Sequence, residues 1–346
     1  MTPTLAHPAP RSIDELLSPD WLSAALARPV SAVQVVDSSS SVATKIRLRV
    51  TPGDGEPFPL FCKALTGPGP ISAFHARITR TEARFYTDLI QHVHIKRPAI
   101  HYVGLDEESG RGTFIMDDLT ATGARFLGAL DKVTQDEVRS SLDQLARLHT
   151  PFWGGAGLDQ HTWIGTQVAD FATSPLLPRE VVADLVRDGR TDGLPDSVRD
   201  VDRIHASLQA LAQWAEVHPE TLVHGDVHAG NIYEHDGEVG LTDFQLLQRT
   251  HWAVDVAYHL GAVLAIDDRR SWEQDLVRHY LERLRVHGVP DVPGFDAAFA
   301  AYRRGMVYGY YLWSNTRTVD RAVIVELSQR LGTALGDLES MGALGV

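Results

Sequence analysis

Cysteine is the scarcest residue of functional interest in this sequence: there is one, Cys62. A single cysteine excludes an intramolecular disulfide framework and any cysteine-based zinc site. Long apolar runs are also missing. None approaches the roughly 18 residues of a membrane span, and the opening MTPTLAHPAPRS is polar and proline-rich, without the apolar stretch of a signal peptide. The chain therefore reads as cytoplasmic, with no membrane partner. Positive charge is in deficit, with 32 Lys and Arg against 45 Asp and Glu and a net charge of −13. Nucleic acids and anionic membranes bind cationic footprints, so neither is the expected partner. Only four of the basic residues are lysines, Lys45, Lys63, Lys96 and Lys132. Each one's placement is therefore informative.

The remainder is the composition of an ordinary globular protein, 44% apolar and 22% charged, and 346 residues suffice for two lobes. The front is strand-rich. A helical lead-in over 13–27, with Ser18 as N-cap before Pro19, precedes strands near 31–37, 42–50 and 58–65. A helix over 71–91 and strands over 99–106 and 112–119 complete a five-stranded antiparallel sheet with one main helix. From 133 the pattern is helical, over 133–149, 179–189, 197–217, 254–265, 272–287, 294–313 and 320–339. The fold class is α+β, divided into 1–118 and 119–346. Residues 151–178 are Gly/Pro-punctuated and aromatic, a packed excursion rather than a linker.

One stretch interrupts the helical half: TLVHGDVHAGNIYEHDGEVGLTDFQ, residues 221–245. Its β-type pieces, 221–224 and 232–244, flank a loop with Asp226, His228 and Asn231, and the second folds back at Asp236-Gly237. That hairpin brings Asp243 beside Asn231. Oxygen-only clusters of this kind suit a hard cation such as Mg²⁺ carried by a phosphate ligand. Far upstream, the strand PLFCKAL puts Phe58, Leu60, Cys62 and Ala64 on one face and Lys63 on the other with Phe61 and Leu65. A lysine among apolar neighbours needs an anionic partner or must snorkel to the sheet edge. The only acid between 64 and 87 is Glu82, on the following helix. Lys45, Arg47 and Arg49, alternating with apolar residues, read as a solvated face.

These residues carry a family resemblance. His224, Gly225, Asp226, Val227, His228, Ala229, Gly230 and Asn231 match residue by residue the HGDxHxxN catalytic loop of the aminoglycoside phosphotransferase and choline kinase-like superfamily. Asp243-Phe244-Gln245 resembles the DFG position of protein kinases, and LARLHTPFW (145–153) also looks like this family. The resemblance implies a bilobal protein-kinase-like fold, with 1–118 as a nucleotide-binding N-lobe and 119–346 as a catalytic, substrate-binding C-lobe. It implies ATP, with GTP as an alternative, and Mg²⁺ as cofactors. Asp226 would accept the proton of a substrate hydroxyl and His228 would donate a hydrogen bond to the γ-phosphate or to Asp226. Asn231 and Asp243 would hold Mg²⁺, and Lys63, set by Glu82, would hold nucleotide phosphates. His224 would fix the loop backbone. Asp255 would accept loop N–H groups, or would simply complement the dipole at its helix N-terminus.

Two features of the family pattern are absent. No GxGxxG loop is present, and DSSSSVATK (37–45) stands in its place, so backbone N–H groups and hydroxyls such as those of Ser39 and Ser40 would meet the phosphates. Gln245 replaces the glycine of DFG. In the hinge IMDDL (115–119), with Met116 as gatekeeper, the carbonyl of Asp117 and the N–H of Leu119 would contact adenine. No APE signature follows, and the short run from Asp243 to Asp255 leaves no room for a peptide-docking activation segment. A small-molecule hydroxyl is the expected acceptor and the expected assembly is a monomer or homodimer. The aromatic run AYRRGMVYGYYLWSNT (301–316) reads as core, with some pocket lining as the alternative. HGDVH lacks the Glu of a zincin helix, and Asn231 precedes Ile232 rather than the His of a metallophosphoesterase. The rival that explains the same residues is a pseudokinase or nucleotide-binding regulatory module of the same fold.

Overall fold

The computed structural model describes residues 9–40, 43–67, 69 and 71–346. They form two compact units: residues up to Arg125 with Asp243–Leu246, and Phe126–Thr242 with Leu247–Val346. No described helix is long and apolar enough to cross a membrane.

The first unit opens with α1 (Ile13–Leu16) and α2 (Pro19–Ala25) instead of one lead-in helix. Ser18 accepts from the Trp21 N–H and Pro19 takes the first helical position, so the Ser-Pro pair starts a second helix and thereby ends the first. The strands β1 (Val30–Ser40), β2 (Thr44–Pro52), β3 (Phe58–Leu65), β4 (Ile100–Asp106) and β5 (Arg111–Asp117) form one antiparallel sheet in the order β1-β2-β3-β5-β4. Alternation decides its faces: Ile46, Leu48, Val50, Leu60, Cys62 and Ala64 are buried against Trp21 and Leu22. Burial pushes the Cys62 thiol up to about 12, so it packs as a small apolar group.

Between β3 and β4 lies α3 (Ala73–Arg84), capped by Ser72. The helix expected to run to 91 leaves α geometry at Arg84 and continues as a π turn, Phe85–Leu89, and a 3₁₀ turn, Ile90–His92. The wider turn coincides with burial of consecutive residues, Phe85 stacking on Phe244 and Tyr86 meeting Phe114 and Phe244. A regular helix points neighbouring side chains about 100° apart. Arg47 departs from the solvated face expected for it. It is half-buried, its Nε 2.8 Å from Asp118, while Lys45 and Arg49 are exposed.

After the two-residue strand β6 (Arg125–Phe126), the second unit is mainly helical: α4 (Gln135–His149), α5 (Gln167–Thr173), α6 (Arg179–Leu185), α7 (Asp196–Arg199) and α8 (Val201–Glu216). Thr134 and Glu137 close a capping box on α4. The expected helix over 197–217 is split because Asp200 turns out of helical geometry and its carboxylate accepts from the N–H groups of Asp202 and Arg203, capping α8. The strand β7 (Thr221–Val223) pairs with β10 (Gln248–Thr250), and β8 (Ile232–His235) with β9 (Glu238–Leu241). The β8–β9 turn has φ of 53° at Asp236 and 75° at Gly237, the left-handed pair that a two-residue hairpin requires.

The chain ends in α9 (Ala253–Val263), α10 (Ile266–Val286), α11 (Phe295–Asn315) and α12 (Arg321–Asp337). Every residue of α9 is buried. The helix packs on α11 at two glycines: a Cβ on Gly305 would collide with the Ala253 carbonyl, and one on Gly309 with the Tyr258 ring. That close approach determines what stands behind the HGDVH loop.

Candidate active site

In the second unit the loop is anchored from below. Asp255 accepts from the backbone N–H of His224 at 2.6 Å and of Gly225 at 2.8 Å, and His149 Nε2 lies 3.1 Å from the same carboxylate. The Asp255 and His149 side chains are fully buried. Of the two readings of Asp255, loop anchor and plain helix acid, the geometry selects the anchor. His224 Nδ1 accepts the Asp226 N–H at 3.2 Å, and its Nε2 lies 2.9 Å from the Thr242 carbonyl, which assigns the ring proton to Nε2. His224 thus fixes the loop backbone, as expected from the motif.

Asp226 is held at both carboxylate oxygens. Asn231 Nδ2 donates to Oδ2 at 3.1 Å and to the Asp226 carbonyl at 2.9 Å, and the Tyr258 hydroxyl donates to Oδ1 at 3.2 Å. His228 Nδ1 accepts the Gly230 N–H at 3.1 Å and so caps the 3₁₀ turn Ala229–Asn231. Its Nε2 lies 3.8 Å from Asp226 Oδ1, beyond hydrogen-bond length. The Asn231 carbonyl accepts from the Thr242 N–H and hydroxyl, tying the loop to the end of β9. Asp243 is the next residue, and its φ of 63° puts a non-glycine residue in the left-handed region. Such strain concentrates at functional positions.

Below the loop, His259 Nδ1 lies 3.0 Å from the Val227 carbonyl and Nε2 lies 2.6 Å from Ser141 Oγ. Burial lowers the His259 pKa to about 4, against the hydrogen bond to Val227 and the charge of Asp255. Burial also lowers buried His251 to about 3. An unfolded histidine titrates near 6.5, so below that pH the unfolded chain takes up protons that the native state refuses. Stability is therefore expected to fall as pH drops from about 6.5 through about 4. Urea unfolding across that window should show a shallower acid loss in His259→Gln. An unchanged slope would remove His259 from this linkage.

In the first unit, Lys63 Nζ lies 2.7 Å from Glu82 Oε2 and 2.7 Å from Asp243 Oδ1. Lys63 therefore does not snorkel to the sheet edge. Burial works against its charge, but the carboxylates of Asp243 and Glu82 outweigh it and lift its pKa above the ordinary lysine range. Burial raises the Glu82 carboxyl, against Lys63 and with Asp243. The cluster thus holds one cation between two carboxylates.

The sheet register gives Lys63 neighbours that sequence alone did not indicate. Ser39 pairs with Lys45, and Lys45 with Lys63, so the three share one row and one face of the sheet. Ser39 and Ser40 are exposed at the end of β1; Ser41 and Val42, also of the expected phosphate loop, lie outside the described residues. Asp117 ends β5, with its N–H on the Ala99 carbonyl and its carboxylate 2.7 Å from His101 Nε2. Leu119 opens a 3₁₀ turn capped by Asp118, and its carbonyl accepts from Ala124. Met116 is buried.

Two participants escaped sequence reasoning, Tyr258 behind Asp226 and the ion pair of Arg47 with Asp118. Tyr258 reads as one more core residue of AVDVAYHL, although its position three residues after Asp255 puts both on one helix face. Among the described residues no three His, Cys, Asp or Glu side chains cluster as a cation cage. The Asn231 amide meets Asp226 through its nitrogen, which leaves its oxygen turned from that carboxylate. An amide oxygen is a donor of the kind that suits a hard cation such as Mg²⁺.

Comparison with known proteins gives a family and a fold. A model described as the phosphotransferase enzyme family matches residues 71–295. No curated protein matches the sequence. Among solved structures, a choline kinase from Cryptosporidium parvum Iowa II is similar at a TM-score of 0.54 and 8% identity, over 95% of this chain and 93% of that one. An ethanolamine kinase from Plasmodium vivax gives 0.51 and 12%, over 89% and 83%. The GDP complex of a wild-type aminoglycoside 2'-phosphotransferase-IIIa gives 0.50 and 15%, over 89% and 93%. At these identities the likeness establishes the fold: α+β, with a five-stranded antiparallel N-terminal sheet and a mostly helical remainder, of the protein-kinase-like type.

Proposed function

The chain belongs to the phosphotransferase enzyme family, and we propose that it moves the γ-phosphoryl group of ATP to a hydroxyl of a small molecule. The observation that carries this reading is Asp226, presented on an Asp255-anchored loop with a donor on each carboxylate oxygen. A carboxylate held in one orientation is what in-line transfer asks of the group that aligns an attacking hydroxyl.

Asp226 would orient the acceptor hydroxyl and take its proton as the bond to phosphorus forms. Lys63, charged and fixed by Glu82, would bind nucleotide phosphates, with Ser39 and Ser40 as further donors. The backbone of Asp117 and Leu119 would take the adenine. Mg²⁺ on Asn231 and Asp243 would supply neutralisation of the phosphate charge. His228, capping the Asn231 turn, would hold that ligand in place and offer Nε2–H to the transferred phosphoryl group. The domain roles follow, nucleotide in 1–118 and acceptor in 119–346.

The test is ADP release from Mg·ATP and Mg·GTP against aminoglycosides, macrolides, choline, ethanolamine, sugars and hydroxylated lipids. Turnover with one class identifies the acceptor. Nucleotide binding with silence across the panel would favour the regulatory-module reading. Lys63→Ala is expected to weaken nucleotide binding about tenfold, the loss of one charge-assisted contact. Calorimetry that found wild-type affinity would remove Lys63 from the site.

A further inference from the structure

Behind Asp226 stand two buried aromatic residues that belong to no part of the catalytic motif. Tyr258, on α9, and Trp313, on α11, are 1% and 3% exposed. Trp313 Nε1 lies 2.8 Å from the Tyr258 hydroxyl, which lies 3.2 Å from Asp226 Oδ1. An indole N–H only donates, so it makes the phenol oxygen an acceptor. A phenol has one proton, which is then committed to the carboxylate. The polarity Trp313 to Tyr258 to Asp226 is thus forced, and Asn231 supplies the opposite oxygen.

We propose that Tyr258 and Trp313 are positioning residues that lock the rotamer and hydrogen-bonding direction of Asp226 towards the phosphoryl acceptor. Burial, with the Asp226 charge added, keeps the Tyr258 phenol protonated far above its ordinary range. The donor is therefore permanent. The glycine at 309 lets the Tyr258 ring lie against α11, and the His228 ring meets Trp313 edge-on at 5.4 Å, so the pair is packed on several sides. A carboxylate with one donor could rotate about its terminal torsion; donors on both oxygens remove that freedom. What stays available on Asp226 is, on each oxygen, the lone-pair direction that Tyr258 or Asn231 does not occupy.

This inference rests on the reading of Asp226 as the group that receives the acceptor's proton. The alternative is that Tyr258 and Trp313 merely satisfy each other in the core. Tyr258→Phe, Trp313→Phe, the double variant and Asp226→Asn separate the cases in the full-length chain. Two readouts apply: the assigned Trp313 indole N–H resonance, and kcat and KM for Mg·ATP with water and with the acceptor panel above. Tyr258→Phe is expected to lower kcat about tenfold, one hydrogen bond's worth of orientation, with KM for ATP unchanged. Trp313→Phe should lower kcat less. Because Trp313 acts through the tyrosine, the double variant should be no slower than Tyr258→Phe. The indole resonance should move in Tyr258→Phe.

Wild-type kcat in Tyr258→Phe, additive losses in the double variant, or an unmoved indole resonance would each overturn the positioning role. If those occur while Asp226→Asn is inactive, the Asp226 reading stands and only the positioning role falls. Turnover persisting in Asp226→Asn, or no turnover by the wild-type chain with any acceptor, removes the reading on which the inference rests. Loss of stability at constant kcat would identify the pair as core.

Discussion

Asp226→Asn is expected to lower turnover by roughly three orders of magnitude, the middle of the range that a positioned general base contributes, while Mg·ATP binding is retained. The substitution is nearly isosteric, so its effect isolates charge and proton affinity. It also creates a local conflict. Asn231 donates to one oxygen, and Tyr258, its polarity set by Trp313, donates to the other. An amide has one oxygen, so one donor must face an NH₂ group, costing roughly 1–3 kcal/mol. Melting temperature should therefore fall modestly alongside the collapse of kcat. Calorimetric titration with Mg·ATP beside an ADP-release assay checks both, and turnover within tenfold of wild type would eliminate Asp226 as the base.

The second large effect is expected at Asp255, whose role is structural. Its fully buried carboxylate takes the His224 and Gly225 N–H groups and a contact from His149. Asp255→Ala leaves those donors without an acceptor in a site closed to water. Breaking a buried polar network in this way costs roughly 3–5 kcal/mol. Thermal unfolding should shift down by roughly 10 °C, with turnover lost because the backbone that carries Asp226 is no longer fixed. Asp255→Asn retains one acceptor oxygen and should lose about half as much stability. A melting temperature within about 2 °C of wild type for Asp255→Ala would show that the loop is held elsewhere.

The HGDVH loop was legible because its parts are close in sequence. Asp226, His228 and Asn231 span six residues, so turn geometry alone brings them together, as the Asn231–Asp226 and His228–Gly230 bonds bear out. Lys63 was legible for a different reason: strand alternation isolates it on an apolar face, and one acid lies within reach on the next helix. The third member of that cluster, Asp243, lies 180 residues away; the hairpin at Asp236-Gly237 put it beside Asn231, but its bond to Lys63 had no local signal.

Other features had no local signal. Two halves of what reads as one helix, 197–217, separate because the Asp200 carboxylate competes for backbone N–H groups, a choice that apolar periodicity does not record. The extension after α3 was hidden because Phe85 and Tyr86 both turn inward, a burial that depends on Phe114 and Phe244 from distant segments. The row joining Ser39, Lys45 and Lys63 needs the strand register, which bulges in β1 shift.

By itself the sequence determined the charge balance, the order of strands and helices, the family and the loop proposed as catalytic, because each depends on composition or on residues within a few turns of one another. The donors that hold Asp226 were decided only by tertiary structure. Tyr258 lies 32 residues from Asp226 and Trp313 lies 55 from Tyr258, and their contact exists because glycines at 305 and 309 let α9 and α11 approach. Side-chain polarity sets what each group donates or accepts; helix packing chooses which of them meet.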